Sequence, residues 1–334
     1  MVPQSAGNLT PDPLPGTGRG NHESAIRLEV ALKIDVDTYQ GLKLGVPRLV
    51  RMLEREGVAA SFFISMGSDN SGKAIGRVFR NSGFAGKMFR TRAVSMYGLR
   101  TVLSGTILPA RPIALGLPEV VREVAKAGFE VGVHGYDHVR WQDGIDDLGE
   151  AGIRAQLEDA FEVYHAIFHK PATSFAAPGW RTNATALKLL DAMGLGYRSD
   201  MRGRFPFRCA IDGATFATPE IPTTLPTMDE LMGRADLPDS AAVLSFYLEQ
   251  FKANGLNVHT IHAETEGMSQ LESFTALVRG LKARGASFVR LDQVAARLKL
   301  AELPVCSVIR DNLPGRSGWI STQGAELNAA LPPS

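Results

Sequence analysis

Sulfur is scarce in this 334-residue chain. It has two cysteines, Cys209 and Cys306, and neither lies in a CxxC or a Cys/His cluster. That spacing excludes a disulfide scaffold and a thiolate zinc site, and leaves two buried or incidental thiols. An excess of one charge is also missing: 36 Lys and Arg stand against 35 Asp and Glu, a formal net charge of +1. The chain as a whole therefore has no bias toward nucleic acid or an anionic surface, and any such bias must be local. No run of about 18 apolar residues occurs, so no segment reads as a membrane-spanning helix. The opening MVPQSAGNLTPDPLPGTGRGNHES lacks the apolar core of a signal peptide. Residues 1–26 are expected to form a disordered leader and residues 321–334 a flexible tail. The expected compartment is the cytoplasm, and nothing indicates an obligate protein partner.

What is present is an ordinary globular composition, 44% hydrophobic and 21% charged, enough for one large or two ordinary domains. Short β-branched runs alternate with helical periods. RLEVALKIDVD reads as a strand, and in GVPRLVRMLEREG the residues Val46, Leu49, Val50 and Leu53 recur at the spacing of an amphipathic helix. AASFFIS, FEVGVHG, TSFAAPG, LGYRSD, TFATPEIP, NVHTIHA and ASFVRL supply further strands, with helical periods between most of them. Such alternation predicts a parallel α/β sheet or barrel, whose chemistry gathers at the C-terminal ends of the strands.

The reactive residues fall at those ends. In LKIDVDTY, Leu32 to Tyr39, side chains alternate faces, so Leu28, Val30, Leu32, Ile34 and Val36 share one side while Asp35 and Asp37 share the other. Two carboxylates about 6 to 7 Å apart on one surface repel each other, and a cation or proton is normally needed to hold them. His134 and His138 follow FEVGV in HGYDH, Asp200 ends LGYRS, and His262 ends NVHTI. Histidines at i and i+4 face the same way on a helical turn and can converge on one ion. Two imidazoles and a carboxylate leave open positions on a divalent cation, the arrangement of a catalytic site. Zinc, manganese, cobalt and nickel all suit that donor set.

Asp-Val-Asp on the first strand, HxxxH after a later strand, a PGW turn and a His on a terminal strand together resemble the NodB-type polysaccharide deacetylases, also called carbohydrate esterase family 4. The resemblance implies a distorted (β/α) barrel over residues 27–320. It also implies that Asp35 is the catalytic base, that Asp37 binds the metal with His134 and His138, and that His262 is the catalytic acid. His259, three residues earlier, lies on the opposite face. The family's third motif carries an Arg two residues before its Pro, and here that position is Ala176, ahead of Pro178. Arg181 is the expected substitute for orienting Asp35, with Asp200 holding either Arg181 or His262.

Further stretches, among them SMGSDN, MYGLRTVLSGT, IPTTLPTMDE and RDNLPGRSGW, resemble the branch of the family that deformylates a sugar carried on a polyprenyl phosphate. That branch implies release of formate from undecaprenyl-phosphate-linked 4-deoxy-4-formamido-L-arabinose at the cytoplasmic face of the inner membrane. The amine product would feed lipid A modification and resistance to cationic peptides such as polymyxin. Expected substrate contacts are Trp180, Glu264, Asp69, Asn70 and Tyr97. Trp180 reads equally as core packing, and Glu264 with Glu266 as a solvated loop face. The alternative is a sugar N-deacetylase acting on an oligosaccharide or peptidoglycan-type substrate. A non-haem iron oxygenase shares the donor set but uses a double-sheet β fold, which the helical periods contradict.

Residues 68–117 read as an insertion. From Ser68 to Arg111, Lys73, Arg77, Arg80, Lys87, Arg90, Arg92, Arg100 and Arg111 face the single acid Asp69, with apolar residues interleaved. The pattern fits either a solvated face or a peripheral membrane contact through residues 73–111.

Overall fold

The computed structural model describes residues 28–72, 109–313, 316 and 318–327. The chain runs β1 (Leu28–Val36), α1 (Val46–Glu56), β2 (Ser61–Ile64), α2 (Pro118–Lys126), β3 (Glu130–Val133), α3 (His138–Gly144) and α4 (Gly149–Phe168). It continues through β4 (Ser174–Phe175), α5 (Ala184–Ala192), β5 (Tyr197–Arg198), β6 (Phe207–Ile211), β7 (Ala214–Glu220), α6 (Met228–Leu231), α7 (Ser240–Gln250) and β8 (Gly255–His262). Last come α8 (Leu271–Ala283), β9 (Ala286–Val289), α9 (Leu291–Ala295), β10 (Val305–Asn312) and β11 (Trp319–Glu326).

All the strands join one sheet in the order β11-β10-β6-β7-β5-β4-β3-β2-β1-β8, with β9 off this path and paired to Leu28–Ala31 of β1, ahead of the residues that β2 pairs. The stretch from β8 through β1 to β5 and β7 is parallel. Alternation in β1 sets which face meets the helices. Leu28, Val30, Leu32, Ile34 and Val36 enter the large core with Leu49 and Leu53 of α1 and Leu277 and Val278 of α8. Ala31 packs instead with Phe63, Tyr197, Ile221 and Val258 inside the curl of the sheet. Each large apolar side chain buried there contributes about 1.5 to 3 kcal/mol. A slip of one residue would drive Lys33 and Asp35 into the helix layer, so the register is strongly specified.

The sheet curls as the expected distorted barrel, but its ladder does not close. Between β7 and β8 the gap is bridged by Thr224 N donating to Val258 O (3.0 Å), Val258 N donating to Thr224 Oγ1 (2.9 Å) and the Thr223–Thr260 hydroxyl pair (2.7 Å). At the opposite end of the strands, buried Glu130 accepts from Ser61, Ser174, Tyr197 and Asp292 N, a satisfied polar floor.

Several expectations change. Residues 321–326 are not a flexible tail: they belong to β11, which pairs antiparallel with β10. Strands β6, β10 and β11 and the short helices α3 and α6 are not among the elements the sequence pattern predicts. Cys209 and Cys306 are buried and free, as expected. No helix among the described residues is long and apolar enough to cross a membrane. Residues 1–26, Tyr97 and most of the basic insertion, 73–108, lie outside the described residues.

Candidate active site

The site forms where β1, β3 and β8 end. Past Val36 the chain turns sharply, and buried Glu264 holds the turn: its Oε1 accepts from Asp37 N (3.1 Å), Thr38 N (2.9 Å) and Thr38 Oγ1 (2.8 Å). A Cβ at Gly41 would collide with Glu264 Oε1, so the residue there must be glycine for this clamp to form. Asp69 Oδ2 accepts from Tyr39 N (3.1 Å) and pins the turn from its other side. Asp37 is thereby presented to the end of β3. The two histidines do not share a helical turn. His134 directly follows β3, Gly135 adopts φ +70°, Asp137 caps α3 by accepting from Arg140 N, and His138 is the first residue of that helix. The left-handed glycine, which L-residues adopt at a steric penalty, folds the second imidazole back over the first.

The three donors converge. His134 Nε2 lies 3.2 Å from Asp37 Oδ1, His138 Nε2 lies 3.5 Å from Asp37 Oδ2, and one ligand atom from each residue fits within 4.8 Å of the others. Asp37 Oδ1 is buried without a hydrogen bond of proper geometry. His134 Nδ1 pairs with Ala176 O (2.9 Å), a backbone contact that leaves Nε2 for a ligand role. Two nitrogens and a carboxylate so arranged fit a borderline divalent cation. Burial pushes the Asp37 carboxyl up, yet the imidazoles of His138, His134 and His262 together hold it well below the usual carboxylate range. Burial pulls the His138 imidazole down.

Beside this triad stand Asp35 and His262, neighbours in register on β1 and β8. Asp35 Oδ2 faces Lys33 Nζ at 3.2 Å, both side chains nearly inaccessible, while Asp35 Oδ1 has no hydrogen-bond partner. His262 Nδ1 faces Asp229 Oδ1 at 3.7 Å. Burial opposes the charge on His262, but the carboxylates of Asp229, Asp37, Asp35 and Glu266 outweigh it and lift the imidazole to about 9. A dication on the triad would counter part of that rise.

The sequence and the fold have counterparts among known proteins. The family model for polysaccharide deacetylase matches residues 29–198. A curated relative from Shewanella sediminis (strain HAW-EB3), named "Probable 4-deoxy-4-formamido-L-arabinose-phosphoundecaprenol deformylase ArnD", is 34% identical over 300 residues, covering 90% of this chain and 96% of that one. This chain belongs to the polysaccharide deacetylase family. A second relative of the same name, from Wigglesworthia glossinidia brevipalpis, is 32% identical over 285 residues, covering 85% of this chain and 98% of the relative. Among solved structures, that of a presumed polysaccharide deacetylase from Mycobacterium smegmatis shares the fold with a TM-score of 0.59 at 18% identity, covering 92% of this chain and all of that one.

Within this member of the family several expected placements change. Arg181 does not take the place of the third-motif arginine beside Asp35. Its Nε donates to Trp319 O (2.9 Å) and its Nη1 to Gln142 O, and the cation beside Asp35 is Lys33. Lys33 Nζ also donates to Ser199 O (3.2 Å) across the interior of the curl. Asp200 holds neither Arg181 nor His262. Its Oδ1 accepts from Ala177 N (2.9 Å), and burial lifts its carboxyl to about 6 against the pull of Arg198 and Lys33.

Trp180 is no sugar wall, because it is buried: its Nε1 donates to Thr223 (3.1 Å) and Lys33, Arg202 and Arg316 lie against its ring. Glu264 and Glu266 are not a solvated face. Both are buried, the first pushed up to about 8 and the second to about 7 by burial, and Glu266 Oε2 accepts from His262 N (3.0 Å). Asp69 and Asn70 serve the scaffold, Asn70 Nδ2 donating to Asp137 (2.8 Å). His259 packs between Tyr247 and Phe251 and is depressed by burial to about 3, a core histidine.

Sequence reasoning missed Lys33, Asp229 and Arg316. The alternation that put Asp35 inward put Lys33 there too, so Lys33 was within reach of that argument. Asp229 lies on the four-residue α6 and Arg316 in the connection between β10 and β11, and neither stretch is long enough to carry a periodic signal.

Proposed function

We propose that this chain hydrolyses the formamide of 4-deoxy-4-formamido-L-arabinose carried on undecaprenyl phosphate, releasing formate and the 4-amino sugar lipid. The observation that carries the reading is the convergence of Asp37, His134 and His138 beside Asp35 and His262. Two relatives that bear the deformylase name along nearly their whole length support it.

Asp37, His134 and His138 would hold one divalent cation, with zinc, manganese, cobalt and nickel all suited to the donors. When bound, such an ion polarises a carbonyl and lowers the pKa of nearby water. Asp35, with Oδ2 engaged by Lys33, has Oδ1 to take the proton of the attacking water. The water oxygen bonds to the formyl carbon, the carbon–nitrogen bond breaks, and His262 gives its proton to the departing nitrogen. General acid and base groups of this kind typically contribute about 10² to 10⁴ each. Asp229, facing the far nitrogen of His262, keeps that imidazole charged and oriented. The basic stretch 73–111 would keep the enzyme on an anionic membrane face, where a polyprenyl substrate resides. By the same reading, the amine product serves lipid A modification and resistance to cationic peptides.

The family's own description favours a second reading, N-deacetylation of a sugar polymer. Mass spectrometry of products from formylated and acetylated glycolipid separates the two. The deformylase reading expects release of formate, loss of turnover on chelation and its return with one of the four metals. A preference for the acetyl form, or for an oligosaccharide, would reject it.

A further inference from the structure

We propose that Arg316 binds a phosphate one sugar ring away from the scissile amide, making the site selective for glycosyl phosphates. The inference rests on the functional reading above and deepens it. Arg316 enters from the connection between β10 and β11, and its guanidinium carbon lies 4.4 Å from the centroid of the Trp180 ring. Stacking on an aromatic face holds the planar group in one orientation at little cost to its hydrogen-bonding edge.

Its neighbour on the same indole is already engaged. Arg202, 5.4 Å from that ring, donates to both oxygens of Glu230 at 2.8 and 3.1 Å. Arg316 Nη1 stands 3.5 Å from Glu230 Oε1 and 3.8 Å from Asp229 Oδ2, and this buried atom has no hydrogen-bond partner. The cation is therefore retained by stacking and by the field of two acids that each have another cation to satisfy. A phosphate diester, whose single negative charge is shared by two non-bridging oxygens, is matched to a planar guanidinium in this state.

Position makes the same point. Asp229 faces His262 Nδ1 with one oxygen at 3.7 Å and Arg316 with the other at 3.8 Å. One imidazole ring and one carboxylate thus lie between the proton-donating nitrogen of His262 and Arg316. In a 4-amino sugar linked through C1 to phosphate, a single pyranose ring separates the nitrogen that takes the proton from the phosphate. The two spans are of the same order, which puts Arg316 within reach of the phosphate of a sugar whose N4 lies at His262.

The test compares kcat/KM for two lipid-free formamides, 4-formamido-arabinosyl methyl phosphate and methyl 4-formamido-arabinoside, on the full-length, metal-loaded enzyme. Lacking a prenyl chain, the pair reports on phosphate and not on the lipid. Wild type should favour the phosphate-bearing sugar. Arg316→Gln should reduce that preference about tenfold to a hundredfold, mainly through KM, while Arg316→Lys keeps part of it. Competitive inhibition by inorganic phosphate should weaken in parallel. A merely structural role would depress both substrates and leave the ratio unchanged. That result, or a wild type indifferent to phosphate, overturns the inference alone. Turnover of neither sugar, nor of the lipid-linked formamide, rejects the functional reading and this inference with it.

Discussion

Lys33→Met is the most demanding test of the site as described. Lys33 and Asp35 are both buried, their charged atoms 3.2 Å apart, and the ammonium is further tied to Ser199 O. Removing one partner of a buried ion pair leaves the other uncompensated, at a cost of about 3 to 5 kcal/mol. For 334 residues at about 2.1 cal/mol/K each, the unfolding entropy is about 0.7 kcal/mol/K. The melting temperature should therefore fall by about 4 to 7 °C. Asp35 also loses the group that orients it, so kcat should drop at least about tenfold, part of the about 10² to 10⁴ that a general base contributes. Lys33→Arg retains the charge and should recover part of both losses. Calorimetry gives the first quantity and formate release the second. Asp35→Asn combined with Lys33→Met should destabilise by less than the sum of the singles, since both break one interaction. If Lys33→Met melts within about a degree of wild type and keeps its kcat, Lys33 neither pairs with Asp35 nor positions it.

Two further outcomes follow from the same geometry. His262 titrates near 6.5 when unfolded and about 9 in the fold. Its protonation thus stabilises the metal-free protein fully below about pH 6.5, a contribution lost as pH rises through about 9. Asp229→Asn should flatten that loss in melting curves across pH, and should move the alkaline limb of kcat to lower pH. An unshifted limb would mean that Asp229 does not support the acid. Gly41→Ala puts a Cβ into Glu264 Oε1, so it should loosen the turn carrying Asp37 and weaken binding of the metal alone in calorimetric titration. Unchanged metal affinity would show that Glu264 does not hold that turn.

The strands that matter most were the legible ones. In β1, β3 and β8 the pattern is carried by residues two apart, and Asp35, Asp37, His134 and His262 could be put at strand ends from it. β6, β10 and β11 lie beyond that reach because they are held by one another, with Cys306 opposite Cys209 and Asn312 opposite Trp319. The HGYDH pair converges as its spacing predicts, but by a different local geometry: a left-handed glycine and a helix start take the place of a helical turn.

By itself, the sequence determined which side chains turn inward and at which end of the sheet they stand, because strand alternation is a property of the backbone over a few residues. Only the tertiary structure decided the pairings: Lys33 in place of Arg181 beside Asp35, Asp229 against His262, and Glu264 turned from solvent to clamp the first loop. Those choices depend on how far the sheet curls and where the loops after β7 and β10 return. That curl is set by contacts between residues far apart in the chain, which no local pattern encodes.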